Sequence, residues 1–222
     1  MPEAANTHEM EFTKLDSLAQ TLQPVIRYVV AVTALASANH PTTIDSLVRY
    51  CKTRLTEDEM TEFVAKSRES LVKMISTMGA PRVINATGSL MNAVGEDIAS
   101  KLLPVPIRSK ENATYDEIRE RGLQLWNVIY GAQANKLENK LKNMYPDLAE
   151  VIQVDLYGRL LSNTDVLTTK ETELCTIASL VPMDVPAQLK SHTLGAGRVG
   201  ASADEVEAVV NSSELVCSLL HK

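Results

Sequence analysis

Four helix-capping boxes constrain the fold of this 222-residue chain more than any other feature. In each box a Ser or Thr is followed three residues later by Glu, so that each side chain can bond a backbone N–H exposed at the start of a helix. The pairs are Thr56 with Glu59, Thr114 with Glu117, Thr168 with Glu171 and Ser202 with Glu205. Each pair precedes apolar residues at helical spacing, and no segment requires a β-strand. The sequence therefore predicts an all-α protein.

The same periodicity and the stop signals at Gly79, Gly131 and Gly200 give a coarse map of helices. They are expected at 15–38 (with a break at Pro24 left open), 42–54, 57–78, 82–102, 115–130, 133–144, 147–162, 169–181, 187–199 and 203–220. A Pro-containing stretch at 103–107, followed by polar residues, is typical of a linker. It divides the chain into a unit at 1–107 and a unit at 113–222.

These two units show a coarse internal match. The box at Thr56 lies 146 positions before the box at Ser202 (202 minus 56), and both follow an Ala-rich helix, a short loop and a second helix. A helical hairpin cannot bury its apolar faces alone, so a duplicated unit packed on its twin is physically reasonable. Duplication and chance similarity both remain open from the sequence.

Composition excludes several classes of protein. The net charge is −6 and no cluster of Lys and Arg interrupts the acidic background, so a nucleic-acid partner is not expected. The most apolar stretch, 25–38, is shorter than the ~20 residues that a bilayer requires and contains Arg27, so no membrane span is expected. Three widely spaced cysteines, Cys51, Cys175 and Cys217, suit a reducing compartment. We expect a cytoplasmic protein, with the peroxisome and the mitochondrion left open.

A glycine pattern at 195–200 fits the dinucleotide fingerprint G-x-G-x-x-G. The fingerprint requires a strand before the glycines, whereas a helical segment leads into Gly195. Nucleotide binding is therefore disfavoured. We predict instead that Gly195, Ala196 and Gly197 let another helix approach closely.

Glu173 and His192 lie on consecutive predicted helices that a short loop makes antiparallel. At about 1.5 Å per residue, both stand roughly 9–11 Å from that loop, so they are level with each other. A carboxylate that orients an imidazole is the arrangement that proton transfer requires. The alternatives are a purely structural hydrogen bond, or two side chains that never meet. No His, Cys or carboxylate lies at metal-ligand spacing from His192 on its helix, so a metal site is not expected.

The surroundings of this pair carry a resemblance to a known family. The residues concerned are Glu173–Leu180, Gln188–His192, Gly195, Gly200–Ser202, Glu205 and, upstream, Gly122, Trp126, Tyr130, Pro146 and Tyr157–Arg159. In order and spacing they resemble the carboxymuconolactone decarboxylase and alkylhydroperoxidase D superfamily over about half of the chain. The first unit resembles a degenerate copy, as in two-unit fungal members. The resemblance implies an alkylhydroperoxidase D-like helical fold that assembles as trimers or hexamers, with the site near subunit contacts.

The resemblance also implies a departure from the peroxidase members, which combine a Glu, a Cys-x-x-Cys pair and a His. The two cysteine positions hold Val185 and Gln188 in this chain, so the redox couple is absent. Cys175 stands two residues from Glu173, hence on another face of its helix, and has no resolving cysteine near it in sequence. A buried structural thiol is the favoured interpretation of Cys175.

These expectations together favour a non-redox lyase that acts on a small carboxylated substrate without a cofactor. His192 would move the proton and Glu173 would hold the imidazole. Gln188, Trp126 and Tyr130 are candidates for substrate contact, with core packing as the alternative for the two aromatic residues. A catalytically silent oligomeric scaffold or binding protein is the second hypothesis. A peroxide-linked role through Cys175 is the third.

Overall fold

The structure is a computed structural model that describes residues 12–108 and 112–218, and every regular element within these residues is helical. The helices in chain order are α1 (described at 12–18), α2 (Pro24–Ser37), α3 (Pro41–Lys52), α4 (Glu57–Lys73), α5 (Ile75–Met78), α6 (Ala80–Val94), α7 (Glu96–Ala99), α8 (Tyr115–Tyr130), α9 (Ala134–Met144), α10 (Pro146–Glu150), α11 (Thr169–Leu180), α12 (Pro186–Arg198) and α13 (Ala203–Ser218). A π-helix, Val151–Leu161, continues α10. The predicted all-α class is confirmed.

All four predicted capping boxes form. The hydroxyls of Thr56, Thr114, Thr168 and Ser202 each accept a hydrogen bond from the backbone N–H of the Glu three residues on, at 3.0–3.3 Å. The Glu carboxylates accept the reciprocal bond from the N-cap N–H at 2.7–2.8 Å. Each hydroxyl cap stabilises its helix by about 1 kcal/mol. The boxes thus fix the starts of α4, α8, α11 and α13.

Several predicted helix ends were wrong. The helix expected over 57–78 ends at Lys73 and resumes as the short α5. The helix expected over 82–102 ends at Val94, because Gly95 takes a φ of 89° that a helix cannot contain. The break left open at Pro24 exists, since α2 begins at that residue. The expected helix 147–162 has the predicted extent, but most of it is π-helical.

The core is built around α2 and α11, which pack side by side and are buried over most of their length. One hydrophobic cluster includes residues of both predicted units, from Phe12 to Val216. The buried ammonium of Lys73 also crosses the predicted boundary: its Nζ donates to the carbonyls of Leu161 and Asn163 and to the hydroxyl of Thr172, at 3.0, 2.6 and 2.8 Å. The two units therefore share one core.

The helix bounds follow the internal match. Helices α11, α12 and α13 each begin within one residue of the position that the 146-residue offset predicts from α2, α3 and α4. The side chains at matching positions differ, because Arg27, which corresponds to Glu173, pairs with Asp16 at 3.4 Å. The match therefore extends to the architecture, and the Glu173–His192 pair has no counterpart at the matching position of Arg27. Duplication as its origin stays a prediction.

The predicted linker 103–107 is not helical and leads from the buried Leu102 to Arg108. The rest of the polar run, up to residue 111, lies outside the described residues. Among the helices that the structure describes, none combines the length and the apolar character that a membrane span requires.

Candidate functional site

The α11–α12 hairpin brings Glu173 and His192 together as predicted. A turn of 3₁₀-helix, Val181–Met183, and the left-handed conformation of Asp184 reverse the chain, and Pro186 opens α12. The Nδ1 atom of His192 then lies 2.9 Å from Oε2 of Glu173. The two residues are 7% and 3% exposed, so the pair is buried. The hypothesis that the two side chains never meet was wrong.

This geometry orients the imidazole. A carboxylate at Nδ1 accepts the N–H of that nitrogen, which leaves Nε2 as the nitrogen able to accept or deliver a proton. Because the pair is shielded from water, the interaction is stronger than it would be on the surface. The arrangement can hold a general acid or base, and it can equally serve as a buried structural hydrogen bond.

Tyr130 is the predicted aromatic residue that reaches the pair. Its ring meets the imidazole of His192 edge-on, with ring centroids 6.0 Å apart. Its hydroxyl lies 2.7 Å from the hydroxyl of Tyr157 on the π-helix. Burial raises the pKa of Tyr130 to about 12 and that of Tyr157 well above its ordinary value, so both phenols stay neutral near pH 7. They supply hydrogen bonds and no charge.

Tyr157 completes this cluster and was not among the predicted site residues. It belongs to the run of residues that carries the family resemblance, and that run was the only signal for it in the sequence. Its hydroxyl reaches Tyr130 because α8 and the π-helix cross closely, a tertiary feature that residue spacing does not encode.

Trp126 packs in the core beside Tyr130. Its side chain is 1% exposed, and its indole N–H donates to the carbonyl of Ala134 at 3.2 Å. The ring centroids of Trp126 and Tyr130 are 4.2 Å apart. Trp126 therefore supports the ring that faces His192. Gln188 is exposed, one turn before His192 on α12, and substrate contact by Gln188 stays a prediction.

Gly195 provides the space in which the carboxylate lies. A Cβ atom at this position would come within 2.8 Å of the Cγ2 of Ile129 and 3.0 Å of Oε2 of Glu173. The predicted close approach of a helix is therefore confirmed at Gly195, where α8 packs on α12. It was wrong at Gly197, because nothing lies within 4 Å of a Cβ there.

Cys175 lies on the opposite side of α11 from this pair. It is fully buried beside the hydroxyls of Thr33 and Ser70, which are themselves 2.6 Å apart. Burial raises the pKa of the Cys175 thiol to about 11, so the reactive thiolate is scarce at neutral pH. The favoured interpretation of a buried thiol is confirmed.

The pair lies apart from two cavities in the described part of the chain. A cavity of about 400 Å³ beside the linker and one of about 300 Å³ beside Lys66 are lined by other residues, and neither includes Glu173 or His192. Within residues 12–108 and 112–218, no cluster of three His, Cys, Asp or Glu side chains is placed to hold a metal ion.

The fold and the site define an all-α protein with a buried carboxylate–imidazole pair on a helical hairpin. No protein-family model matches the chain, and no solved structure matches it. The chain is similar to Peroxisomal protein 2 of Saccharomyces cerevisiae, with 33% identity over 67% of this chain and 59% of that protein. It is also similar to Peroxisomal protein 2 of Schizosaccharomyces pombe, with 29% identity over 92% of this chain and 90% of that protein. The match thus spans less than two thirds of the budding-yeast relative.

Proposed function

We propose that this protein is a non-redox lyase of the carboxymuconolactone decarboxylase type, which acts on a small carboxylated substrate through His192 and Glu173. The observation that carries the proposal is the 2.9 Å contact between Nδ1 of His192 and Oε2 of Glu173. Nε2 of His192 moves the proton, and Glu173 holds the ring and balances the charge that the imidazole gains. Neutral Tyr130 bounds the ring on one side.

Turnover of a panel of carboxylactones and 3-oxo acids, followed by proton NMR, tests this proposal. His192→Gln removes the proton donor and acceptor, and we expect a loss of at least about 100-fold. Glu173→Gln keeps an oxygen beside Nδ1 without the charge, so we expect a smaller loss. His40→Gln, a histidine ahead of α3 and outside the site, serves as the matched control and should retain wild-type turnover. Equal rates for wild type and His192→Gln would refute the proposal.

A catalytically silent binding or scaffold protein is the second candidate, and the burial of the pair favours it. With Glu173 at 3% and His192 at 7% exposed, a substrate has little direct access to either group in a single chain. If wild type leaves every compound of the panel unchanged while its circular dichroism is that of a folded helical protein, this candidate replaces the lyase.

Assembly into a trimer or hexamer belongs to both candidates. Exposed apolar side chains between the end of α9 and the start of the π-helix support it, since such patches commonly mark contact surfaces. They are Met144, Tyr145, Leu148 and Val151. Light scattering coupled to size-exclusion chromatography gives the mass in solution. A monomer at all concentrations would exclude the oligomer.

A peroxisomal location is proposed from the two relatives, which carry that compartment in their names. An N-terminal fluorescent fusion of the full chain should then coincide with a peroxisomal marker. Diffuse fluorescence throughout the cytosol would leave the cytoplasmic expectation in place.

A further inference from the structure

A cavity of about 400 Å³ lies between α4 and the linker, away from the Glu173–His192 pair. Its volume falls in the range of small-molecule sites. One wall is the face of α4 that carries Ala65, Arg68 and Val72, and the other is formed by the residues from Lys101 to Arg108. Neither the proposed lyase chemistry nor the helix packing assigns it a role.

Most of the wall is apolar, including the part that meets solvent. Its apolar residues are Ala65, Val72, Leu102, Leu103, Val105, Pro106, Ile107 and Val166. Leu103 is 58% exposed and Val105 is 46% exposed, so apolar side chains stand at the opening of the cavity. Exposed apolar surface in a concave site is favourable to cover with an apolar ligand.

One of the positively charged side chains in the wall has no anionic partner among the described residues. Arg108 donates two hydrogen bonds to the carboxylate of Glu69, so the charges of these two side chains neutralise each other. Lys101 forms an ion pair with Glu57. Arg68 also lines the cavity and is half-buried, and it has no ion-pair or hydrogen-bond partner within the described part of the chain. A half-buried guanidinium without an anion is a ready partner for a carboxylate or phosphate group.

We propose that this cavity binds an amphipathic anion, with a single alkyl chain against the apolar wall and its head group on Arg68. The alkyl chain would cover Val105 and Leu103 at the opening. The head group would supply the negative charge that pairs with the guanidinium of Arg68. A carboxylate and a phosphate head share this chemistry. The site is independent of the Glu173–His192 pair, so it stands whether or not the chain is a lyase.

Isothermal titration calorimetry of the full chain with three ligands tests the proposal. Decanoate and decyl phosphate carry the same alkyl chain with the two head groups, and decanol carries it without charge, all used below the concentrations at which they form micelles. We expect at least one anion to bind about tenfold or more tightly than decanol. The tighter anion identifies the head group.

Two variants and one control locate the ligand. Arg68→Gln should remove the preference for the anion over decanol. Val105→Asp places a negative charge at the exposed opening and should weaken the anion about tenfold or more. Arg49→Gln, on α3, removes one positive charge from an exposed side chain elsewhere and should bind like wild type. Circular dichroism establishes that each variant is folded.

Three results would overturn the proposal. The first is the absence of binding by either anion to wild type. The second is an unchanged anion preference in the folded Arg68→Gln variant. The third is wild-type affinity in Val105→Asp, which would place the ligand at another surface.

Discussion

Gly195 and Gly197 stand two positions apart on α12 and differ in what surrounds them. Alanine at Gly197 meets nothing within 4 Å, whereas alanine at Gly195 meets Ile129 and the carboxylate of Glu173. Both changes give the helix a better former, which stabilises it by about 0.5–1 kcal/mol. Only the change at Gly195 forces the packing between α8 and α12 to adjust.

The size of that adjustment follows from the distances. A Cβ at 2.8 Å from the Cγ2 of Ile129 and 3.0 Å from Oε2 of Glu173 is closer than unstrained contacts allow, so both side chains must move. Overpacking of this kind costs about 1–3 kcal/mol. We therefore expect the free energy of unfolding of Gly195→Ala to lie about 1–3 kcal/mol below that of Gly197→Ala.

Thermal unfolding followed by circular dichroism measures this difference. For a chain of this length, the two variants should differ by roughly 2–12 °C in Tm, with Gly197→Ala at or above wild type. The Cβ of Gly195→Ala would displace Oε2 of Glu173, which is the atom that contacts His192. Turnover should therefore fall in Gly195→Ala and stay at the wild-type level in Gly197→Ala. If Gly195→Ala proved as stable as Gly197→Ala, the close packing of α8 on α12 described above would be incorrect.

Three further predictions concern the core. Burial lowers the pKa of Lys73 from 10.5 to about 8, so between those values the unfolded chain holds a proton that the folded chain has released. The free energy of unfolding of wild type relative to Lys73→Met should therefore rise with pH across that interval in urea titrations, and a constant difference would contradict this account. Cys175 should resist alkylation in the folded protein while the partly exposed Cys217 reacts, and mass spectrometry showing modification of Cys175 without denaturant would contradict its burial. Gly122→Ala should lower the free energy of unfolding by more than about 3 kcal/mol in chemical denaturation, because its Cβ would lie 2.1 Å from the carbonyl of Gln153. Gly88→Ala is the control and should not destabilise the protein, since nothing lies within 4 Å of a Cβ there. Equal stability of these two variants would argue against the close crossing of α8 and the π-helix.

The sequence predicted features that depend on neighbours along the chain. The capping box at Thr168 closes within one helical turn, and the loop after α11 is only a few residues long, so local residues suffice to define α11 and its antiparallel partner. The equal distance of Glu173 and His192 from the loop followed from the rise per residue of a helix and the length of one loop. The placement of Cys175 on a different face of α11 from Glu173 followed from the helical period alone.

The features that the sequence missed depend on residues far apart in the chain. The end of α6 at Gly95 rests on a positive φ, which nothing in the apolar pattern indicated. The place of Tyr157 in the cluster depends on how α8 crosses the π-helix. The position of Arg68, which has no partner among the described residues, depends on a linker that folds back over α4, and no periodicity describes such a contact.

The amino-acid sequence by itself determined the helical class, the starts of the four capped helices and the equal distance of Glu173 and His192 from the loop of one hairpin, because each of these is set by hydrogen bonds and spacing along the chain. Only the tertiary structure decided that both units share one core, that Gly195 makes room for the carboxylate, and that an apolar cavity opens beside Arg68. These depend on the shapes of surfaces that meet from distant parts of the chain, and such shapes are defined only when the helices are packed.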